Sequence, residues 1–343
     1  MRSFTLSCLL LIFSVCPSIA QSVDYKRWMA ELDDAIPVSS LSIPGAHDAA
    51  TGEGLCALSG FGVTQSLGLE ELWECGVRAF DLRPAVKDTL LYIYHGKLRT
   101  KVSFVEAIEV ICAQLDQYPS EFAIVLLREE SDSENENEHS LWAPLIGGII
   151  HDMGERAAVF SPGMEVGDVR GKVLFLTRSP YSGAERGAKI TGWCHSKEGC
   201  TMARIVPYGN GSEARLQVQD YYAPTDAEKR AYKLDAVRRF LSLSAETREN
   251  VWTINFVSGY STTWLGCTSL ATTSGYKRNA AWLHAEVLDY LGNKLQPMGI
   301  VFMDYAGVDK VCGGLFHWAS FRVRGGELVS KIIDCNFLPA MQQ

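Results

Sequence analysis

The chain has 343 residues, 47% hydrophobic and 21% charged, with 32 basic against 40 acidic side chains. That length buries a sizeable core, as one large domain or two smaller ones. The acidic balance argues against a phosphate-tracking nucleic-acid binder, which needs clustered basic charge, and against membrane attachment driven by net positive charge.

Met1–Ala20 carries one basic residue, Arg2, then an apolar stretch from Leu6 to Val15, and ends Ser18-Ile19-Ala20 with small residues where a leader is cut. This is the pattern of a secretory signal peptide, too short in its apolar part to span a bilayer. The remaining 21–343 is expected to be exported, soluble and monomeric. Ten cysteines fall to eight once Cys8 and Cys16 leave with the leader: Cys56, Cys75, Cys112, Cys194, Cys200, Cys267, Cys312 and Cys335. An even number in an exported chain suggests disulfides. Cys194 and Cys200, close in sequence in a loop beside Trp193, are the expected local pair, and Cys267 with Cys312 is a second candidate. There is no CxxC pair to suggest zinc.

Short apolar runs read as buried strands. In order they are Leu41–Ile43, Val77–Leu82, Leu90–Tyr94, Phe122–Leu127, Val173–Thr177, Leu216–Gln219, Val251–Val257 and Gly299–Met303. Helical patterns lie between most of them, at Gln65–Glu74, Phe104–Tyr118, Thr225–Leu243 and Ala280–Leu291. Alternating strands and helices imply a parallel sheet, and eight strands in one uninterrupted domain imply a closed α/β barrel of the TIM (β/α)₈ type. A doubly wound open sheet is the runner-up, but no GxGxxG follows an early strand. The gap between Leu82 and Leu90 has no room for a crossover helix. A hairpin turning near Lys87-Asp88-Thr89 fits instead, bringing His95 opposite Asp81 and near Arg83. The barrel is therefore expected to be irregular. The acidic tract Glu129–Glu138 reads as a solvated loop, and Asn210-Gly211-Ser212 is a glycosylation sequon.

In such a barrel the C-terminal strand ends form the active face. The first strand runs into His47 and Asp48, and the second into Asp81 and Arg83. The third ends at His95, the fourth at Arg128, the fifth at Arg178, the sixth at Asp220-Tyr221-Tyr222 and the last at Asp304. Each has a bland reading alone: a satisfied histidine, a capping aspartate, a surface ion pair. A structural account of all of them needs a separate reason for every strand. His139, His151, His284 and His317 lack such placement and read as structural. An arginine fork matches a phosphate's oxygens, and two imidazoles can take and give protons near neutral pH. Together they are equipment for opening a phosphodiester without a metal.

The ordered set Leu41-Ser-Ile-Pro-Gly-Ala-His47-Asp48, Gly76-Val-Arg-Ala-Phe-Asp81-Leu-Arg83 and Leu91-Tyr-Ile-Tyr-His95-Gly96 resembles the catalytic domain of bacterial phosphatidylinositol-specific phospholipases C. The similarity continues through Tyr118-Pro-Ser-Glu121, Gly171-Lys172-Val173, Gln219-Asp220 and Phe302-Met-Asp304-Tyr305, covering the chain from Trp28 to Tyr305. The resemblance implies His47 as general base on the inositol 2-hydroxyl, oriented by Asp304. It implies His95 as general acid, assisted by Asp48, and Arg83 on the phosphoryl oxygens. Arg128, Arg178 and Asp220 would hold the inositol hydroxyls, with the ring stacked on Tyr222 and Asp81 positioning Arg83. The implied partner is a phosphatidylinositol-type lipid at a membrane surface, with no cofactor, metal or nucleic acid. Arg128 stands where the bacterial enzymes have lysine and Ala46 where threonine is common, and the cysteine content is unusual beside them. These departures bear on the head group rather than the reaction.

Metal-dependent glycerophosphodiester phosphodiesterases and calcium-dependent phospholipases C are rivals, and each needs a cation where Arg83 would repel one. A secreted inositol- or glycan-binding module without chemistry would not need both His47 and His95. Tyr260 and Trp264 follow the seventh strand, as interfacial aromatics or as packing under the loop.

Overall fold

The computed structural model describes residues 23–56, 62–130, 136–224, 226–246, 251–260, 273–312 and 320–337. The leader Met1–Ala20, Trp264, Cys267 and His317 lie outside them. Among the described residues, β1 (Ser42–Ala46), α1 (Leu69–Glu74) and β2 (Ala79–Leu82) come first. A three-stranded insertion follows, β3 (Pro84–Lys87), β4 (Leu90–His95) and β5 (Leu98–Ser103). Then come α2 (Phe104–Gln117), β6 (Ala123–Leu127), α3 (Glu136–Asp152), α4 (Val166–Val169) and β7 (Val173–Thr177). After β8 (Ala188–Thr191), β9 (Cys200–Pro207) and β10 (Ala214–Gln219), the pattern returns to α5 (Ala227–Glu246), β11 (Val251–Val257), α6 (Thr273–Leu291) and β12 (Gly299–Met303). The chain closes with β13 (Asp309–Cys312), β14 (Phe321–Arg324) and α7 (Gly325–Asp334).

Nine strands close one barrel in the order β1-β12-β11-β10-β9-β8-β7-β6-β2, with β2 pairing back to β1. Eight of them run parallel, and β9 lies antiparallel between β8 and β10. The TIM-type architecture expected from the sequence is present, with a different membership. Leu90–His95 is not in the wall but in the antiparallel β3-β4-β5 sheet. β8 and β9 take its place; they alternate buried and half-exposed residues rather than forming an apolar run, so they leave no buried-strand signal. Both Asp88 and Thr89 adopt left-handed conformations, with φ of 51° and 67°, as a two-residue hairpin requires. Lys87 pairs with Leu90 and the Tyr94 amide donates to the Arg83 carbonyl. Arg83 is therefore opposite Tyr94, one residue from the register expected about Asp88.

Local signals explain the elements. Strands such as β6 and β7 are apolar throughout and buried throughout, because crossover helices cover the outer face. α2 starts at a capping box: Ser103 Oγ accepts the Glu106 amide and Glu106 accepts the Ser103 amide. Its Phe104, Ala107, Ile108, Ile111 and Leu115 form one buried stripe, and it stops at Tyr118, before Pro119. α7 was not anticipated from the sequence. Its following Asn336 closes the chain onto β1, accepting the Ser42 amide and donating to the Ser42 carbonyl, both at 2.8 Å.

The end of the barrel away from the strand C-termini holds a buried ion pair. Arg78 Nη2 lies 2.9 Å from Glu121 Oε2, both side chains fully buried. Nε bonds Glu121, while the Nη atoms donate to the carbonyls of Trp73, Val77, Tyr25 and Lys26. The guanidinium stacks 3.9 Å from the Trp73 ring. Breaking such a pair strands a charge, so Glu121→Leu is expected to destabilise the fold by about 3–5 kcal/mol, read as a lower urea midpoint.

Candidate active site

His47 and Asp48 follow β1 directly. Asp48 takes a left-handed conformation, φ 44°, as does Tyr305 after β12, φ 50°. Such conformations are costly outside glycine, and they turn the chain sharply on both sides of the contact between His47 and Asp304. His47 Nδ1 lies 2.7 Å from Asp304 Oδ1, and the Gly259 amide donates to Asp304 Oδ2 at 3.3 Å. With the ring proton on Nδ1 held by Asp304, Nε2 is the working atom. Arg83 Nη2 approaches it at 2.8 Å, a donor only the neutral ring accepts. Asp48 Oδ2, 3.2 Å away, is the partner for a protonated Nε2. Burial would push the His47 imidazole down, but the Asp48 and Asp304 carboxylates outweigh it and hold it up at about 9. Its contribution to stability is full below the ordinary 6.5 and is lost as pH rises through about 9.

Arg83 is the hub. Its Nε lies 2.9 Å from Asp48 Oδ1 and its Nη2 donates to Asp81 Oδ2 at 2.8 Å. The Asp48 amide also donates to Asp81, at 3.3 Å. Burial works against the Asp48 carboxylate, yet Arg83 first, then His47 and His95, hold it down at about 2. His95, on the end of β4, reaches Asp48 Oδ2 at 3.4 Å, the oxygen not bound by Arg83 Nε, and its Nδ1 bonds the Gly62 carbonyl at 2.6 Å. The two imidazole centroids are 6.5 Å apart. His47, Asp48 and Asp81 offer three ligand atoms within 4.8 Å of one another, a spacing that can hold a cation. The guanidinium already bridges both carboxylates.

All nine residues expected at the site gather here. His47, Arg83, His95, Arg128, Arg178, Asp220 and Tyr222 line one cavity of about 280 Å³, and Asp48 and Asp304 lie behind it. Asp220 Oδ2 accepts from Trp193 Nε1 at 2.8 Å and lies 3.6 Å from Arg178 Nη1. Arg178 stacks 4.1 Å over the Trp193 ring. Burial pushes the Arg178 guanidinium down to about 10 against the pull of Asp220. Tyr222 stands at the mouth, 46% exposed. The structural reading of His284 is consistent with its full burial, which lowers it to about 3. His139 pairs with Glu129 on the surface.

Several lining residues left no sequence signal. Glu130, in the tract read as a solvated loop, is 6% exposed, accepts the Gly96 amide at 2.7 Å and lies 3.6 Å from Arg128. His195 packs against Tyr222 with ring centroids 3.9 Å apart, tilted by 31°, and bonds the Asp220 carbonyl. It follows β8, so recognising β8 as a barrel strand would have found it. Tyr276 opens α6 and has no such clue. Beneath the floor, fully buried Lys233 donates to the Phe256 carbonyl at 2.6 Å, and burial lowers it to about 7.

Cys194 and Cys200 form the expected disulfide, Cα atoms 5.7 Å apart. Cys312 is free among the described residues, and its other expected partner, Cys267, lies outside them. The bridge closes the loop that carries His195 and starts one residue after Trp193. Cys194→Ser/Cys200→Ser is therefore expected to raise KM several-fold with kcat little changed, since it loosens binding groups and leaves the two histidines alone. Steady-state kinetics of the variant check this.

No protein-family model matches the chain. Among curated proteins, the 1-phosphatidylinositol phosphodiesterase of Listeria monocytogenes is 32% identical over 167 residues, 47% of this chain. That match spans about half, 51%, of the Listeria protein. The protein of the same name from Staphylococcus aureus strain Newman is 23% identical over 326 residues, 91% of this chain and 94% of that one. The chain is similar to bacterial phosphatidylinositol-specific phospholipases C. Solved structures agree on the fold. A variant of the Staphylococcus aureus phosphatidylinositol-specific phospholipase C superposes with a TM-score of 0.69 at 20% identity, covering 92% of this chain and 97% of that one. The Listeria monocytogenes enzyme gives 0.63 at 21% identity, covering 92% and 100%.

Proposed function

We propose that this chain is a secreted phosphatidylinositol-specific phospholipase C that needs no metal. It would cleave phosphatidylinositol, or its glycosylated form, to diacylglycerol and myo-inositol 1,2-cyclic phosphate. The observation that carries the reading is that His47 and His95 both reach Asp48 Oδ2, at 3.2 and 3.4 Å, while Arg83 lies 2.9 Å from Asp48 Oδ1, with both imidazoles and the guanidinium lining one cavity.

In its neutral form, the form Arg83 Nη2 can donate to, His47 Nε2 takes the proton of the inositol 2-hydroxyl; with the imidazole held up at about 9, that form grows as pH rises, so turnover should climb toward pH 9. The 2-hydroxyl oxygen attacks phosphorus, the bond from phosphorus to the diacylglycerol oxygen breaks, and His95 gives the leaving oxygen a proton. Asp304 keeps the His47 proton on Nδ1 and steadies the imidazolium that forms. Arg83 neutralises charge on the nonbridging oxygens, supplying the positive field a metal supplies elsewhere. Arg128, Arg178 and Asp220 offer donors and an acceptor to the ring hydroxyls, and Tyr222 an aromatic face. Asp81 holds Arg83. A cation among His47, Asp48 and Asp81 would meet the guanidinium 2.8–2.9 Å from the same carboxylates and be repelled.

Export is supported by the leader pattern of Met1–Ala20 and by the disulfide, a bond that persists in oxidising compartments. Among the described residues no helix is long and apolar enough to cross a membrane. The net charge of −8 fits the reading that nucleic acid is not a partner, and the protein is taken to act as a monomer that visits the lipid surface.

Phosphorus NMR during early turnover tests the chemistry. The cyclic phosphate should appear first, with and without EDTA. An acyclic monophosphate appearing first, ready cleavage of a lipid lacking the 2-hydroxyl, or silencing by EDTA with recovery in calcium would each overturn the reading.

A further inference from the structure

His95 has two partners besides its Nδ1 bond to the Gly62 carbonyl. Its Nε2 lies 3.4 Å from Asp48 Oδ2 and 3.3 Å from the Tyr276 hydroxyl. The two partners differ in kind. Asp48 is ionised and can only accept, and it is already shared with Arg83 at 2.9 Å and His47 at 3.2 Å. It can bond Nε2 while the ring is protonated, and repels the lone pair left once the proton has gone. A phenol both accepts and donates. Tyr276 can accept from Nε2–H before proton transfer and donate to the bare nitrogen after it. Burial, with Asp48 and Asp304 adding to it, raises the phenol well above its ordinary range, so the hydroxyl keeps its proton.

The hydroxyl is fixed from the other side. Its ring packs edge-on to His95, centroids 5.5 Å apart. One turn along α6, buried Asn279 donates to the Gly259 carbonyl at 3.2 Å, and the Gly259 amide donates to Asp304. A single residue thus ties the helix that carries Tyr276 to the carboxylate that holds His47. The groups facing His95 are Asp48 from the turn after β1, His47 beside it, Tyr276 from α6, and Glu130, which accepts the amide of the next residue, Gly96.

We propose that Tyr276 is the positioning residue of the acid: its hydroxyl holds His95 Nε2 toward the cavity in both protonation states of the catalytic cycle. This rests on the reading of His95 as the general acid. In the step, the Nε2–H bond breaks as the O–H bond of the leaving alcohol forms. Tyr276 then rotates its own O–H onto Nε2 and exchanges no proton with the substrate.

The test is Tyr276→Phe, which keeps the ring and removes the hydroxyl, assayed on two leaving groups. Phosphatidylinositol expels an alkoxide and needs the acid; a p-nitrophenyl ester of inositol phosphate expels a phenolate and does not. The variant should lose about 10-fold in kcat on the lipid and stay within about twofold on the aryl ester, with KM unchanged, as expected for one neutral hydrogen bond acting through an acid. Equal losses on both substrates, or none on either, would overturn the proposal. His95→Ala separates the two layers. It should fail on the lipid and spare the aryl ester; failure on both alike would remove the acid itself, and Tyr276's role with it.

Discussion

Replacing His47 or His95 with alanine is expected to lower turnover on phosphatidylinositol by about 10²–10⁴-fold each, the usual worth of a positioned acid or base. Both side chains stand on the rim of the barrel rather than in its packed interior, so the fold should survive. His47→Ala takes the imidazole from Asp304 and leaves it the Gly259 amide. That carboxylate is fully buried, and burial already raises it above the ordinary range, so it can take up a proton instead of remaining a stranded charge. The two losses should differ in character. Without His47 both alkyl and aryl substrates should fail, because attack by the 2-hydroxyl comes first in either case. Without His95 the aryl substrate should survive. Near-normal turnover in either variant on the lipid, with circular dichroism unchanged, would remove the acid–base mechanism.

Arg83→Lys should cost about 10²–10³-fold in kcat, comparable to removing one preorganised donor from a charge-stabilising site. Charge is kept, so the loss measures geometry. The guanidinium spans three groups at once: Asp48 at 2.9 Å, Asp81 at 2.8 Å and His47 Nε2 at 2.8 Å. An ammonium on a flexible stem serves one of these well and cannot reproduce the fork. Asp48 depends on this contact for its position at about 2. The stability it lends is present above its ordinary 3.8 and lost as pH falls through about 2, and the variant should lose it at higher pH. Acid unfolding followed by fluorescence reads that shift, and rapid-mixing kinetics read the chemical step. A lysine variant as active as the parent would show that Arg83 contributes charge alone, and the fork would have no role.

The sequence carried the parts of this protein written in local chemistry. Apolar runs gave β6, β7, β11 and β12 because a strand covered on both faces has no polar position to hide it. The helical pattern Phe104–Tyr118 marked α2, and the short gap before Leu90 required a hairpin. The convergence of His47, Arg83, Arg128, Arg178, Asp220 and Asp304 followed from one topological fact, that parallel strands end on the same rim. What the sequence left open depended on neighbours far along the chain. β8 and β9 entered the wall without a buried-run signature because only one face of each is covered. β4 left the wall because its partners are its own hairpin neighbours, and it still delivered His95 to Asp48. Glu130 turned inward from an acidic tract because the Gly96 amide and Arg128 compensate its burial. His195 and Tyr276 reached the cavity by a disulfide-closed loop and a helix start, with no periodicity to announce either. Strand identity is set by hydrophobic burial, which local sequence encodes. The rim of the cavity is set by pairwise contacts between residues as much as 257 positions apart, as for His47 and Asp304, and those exist only once the barrel has closed.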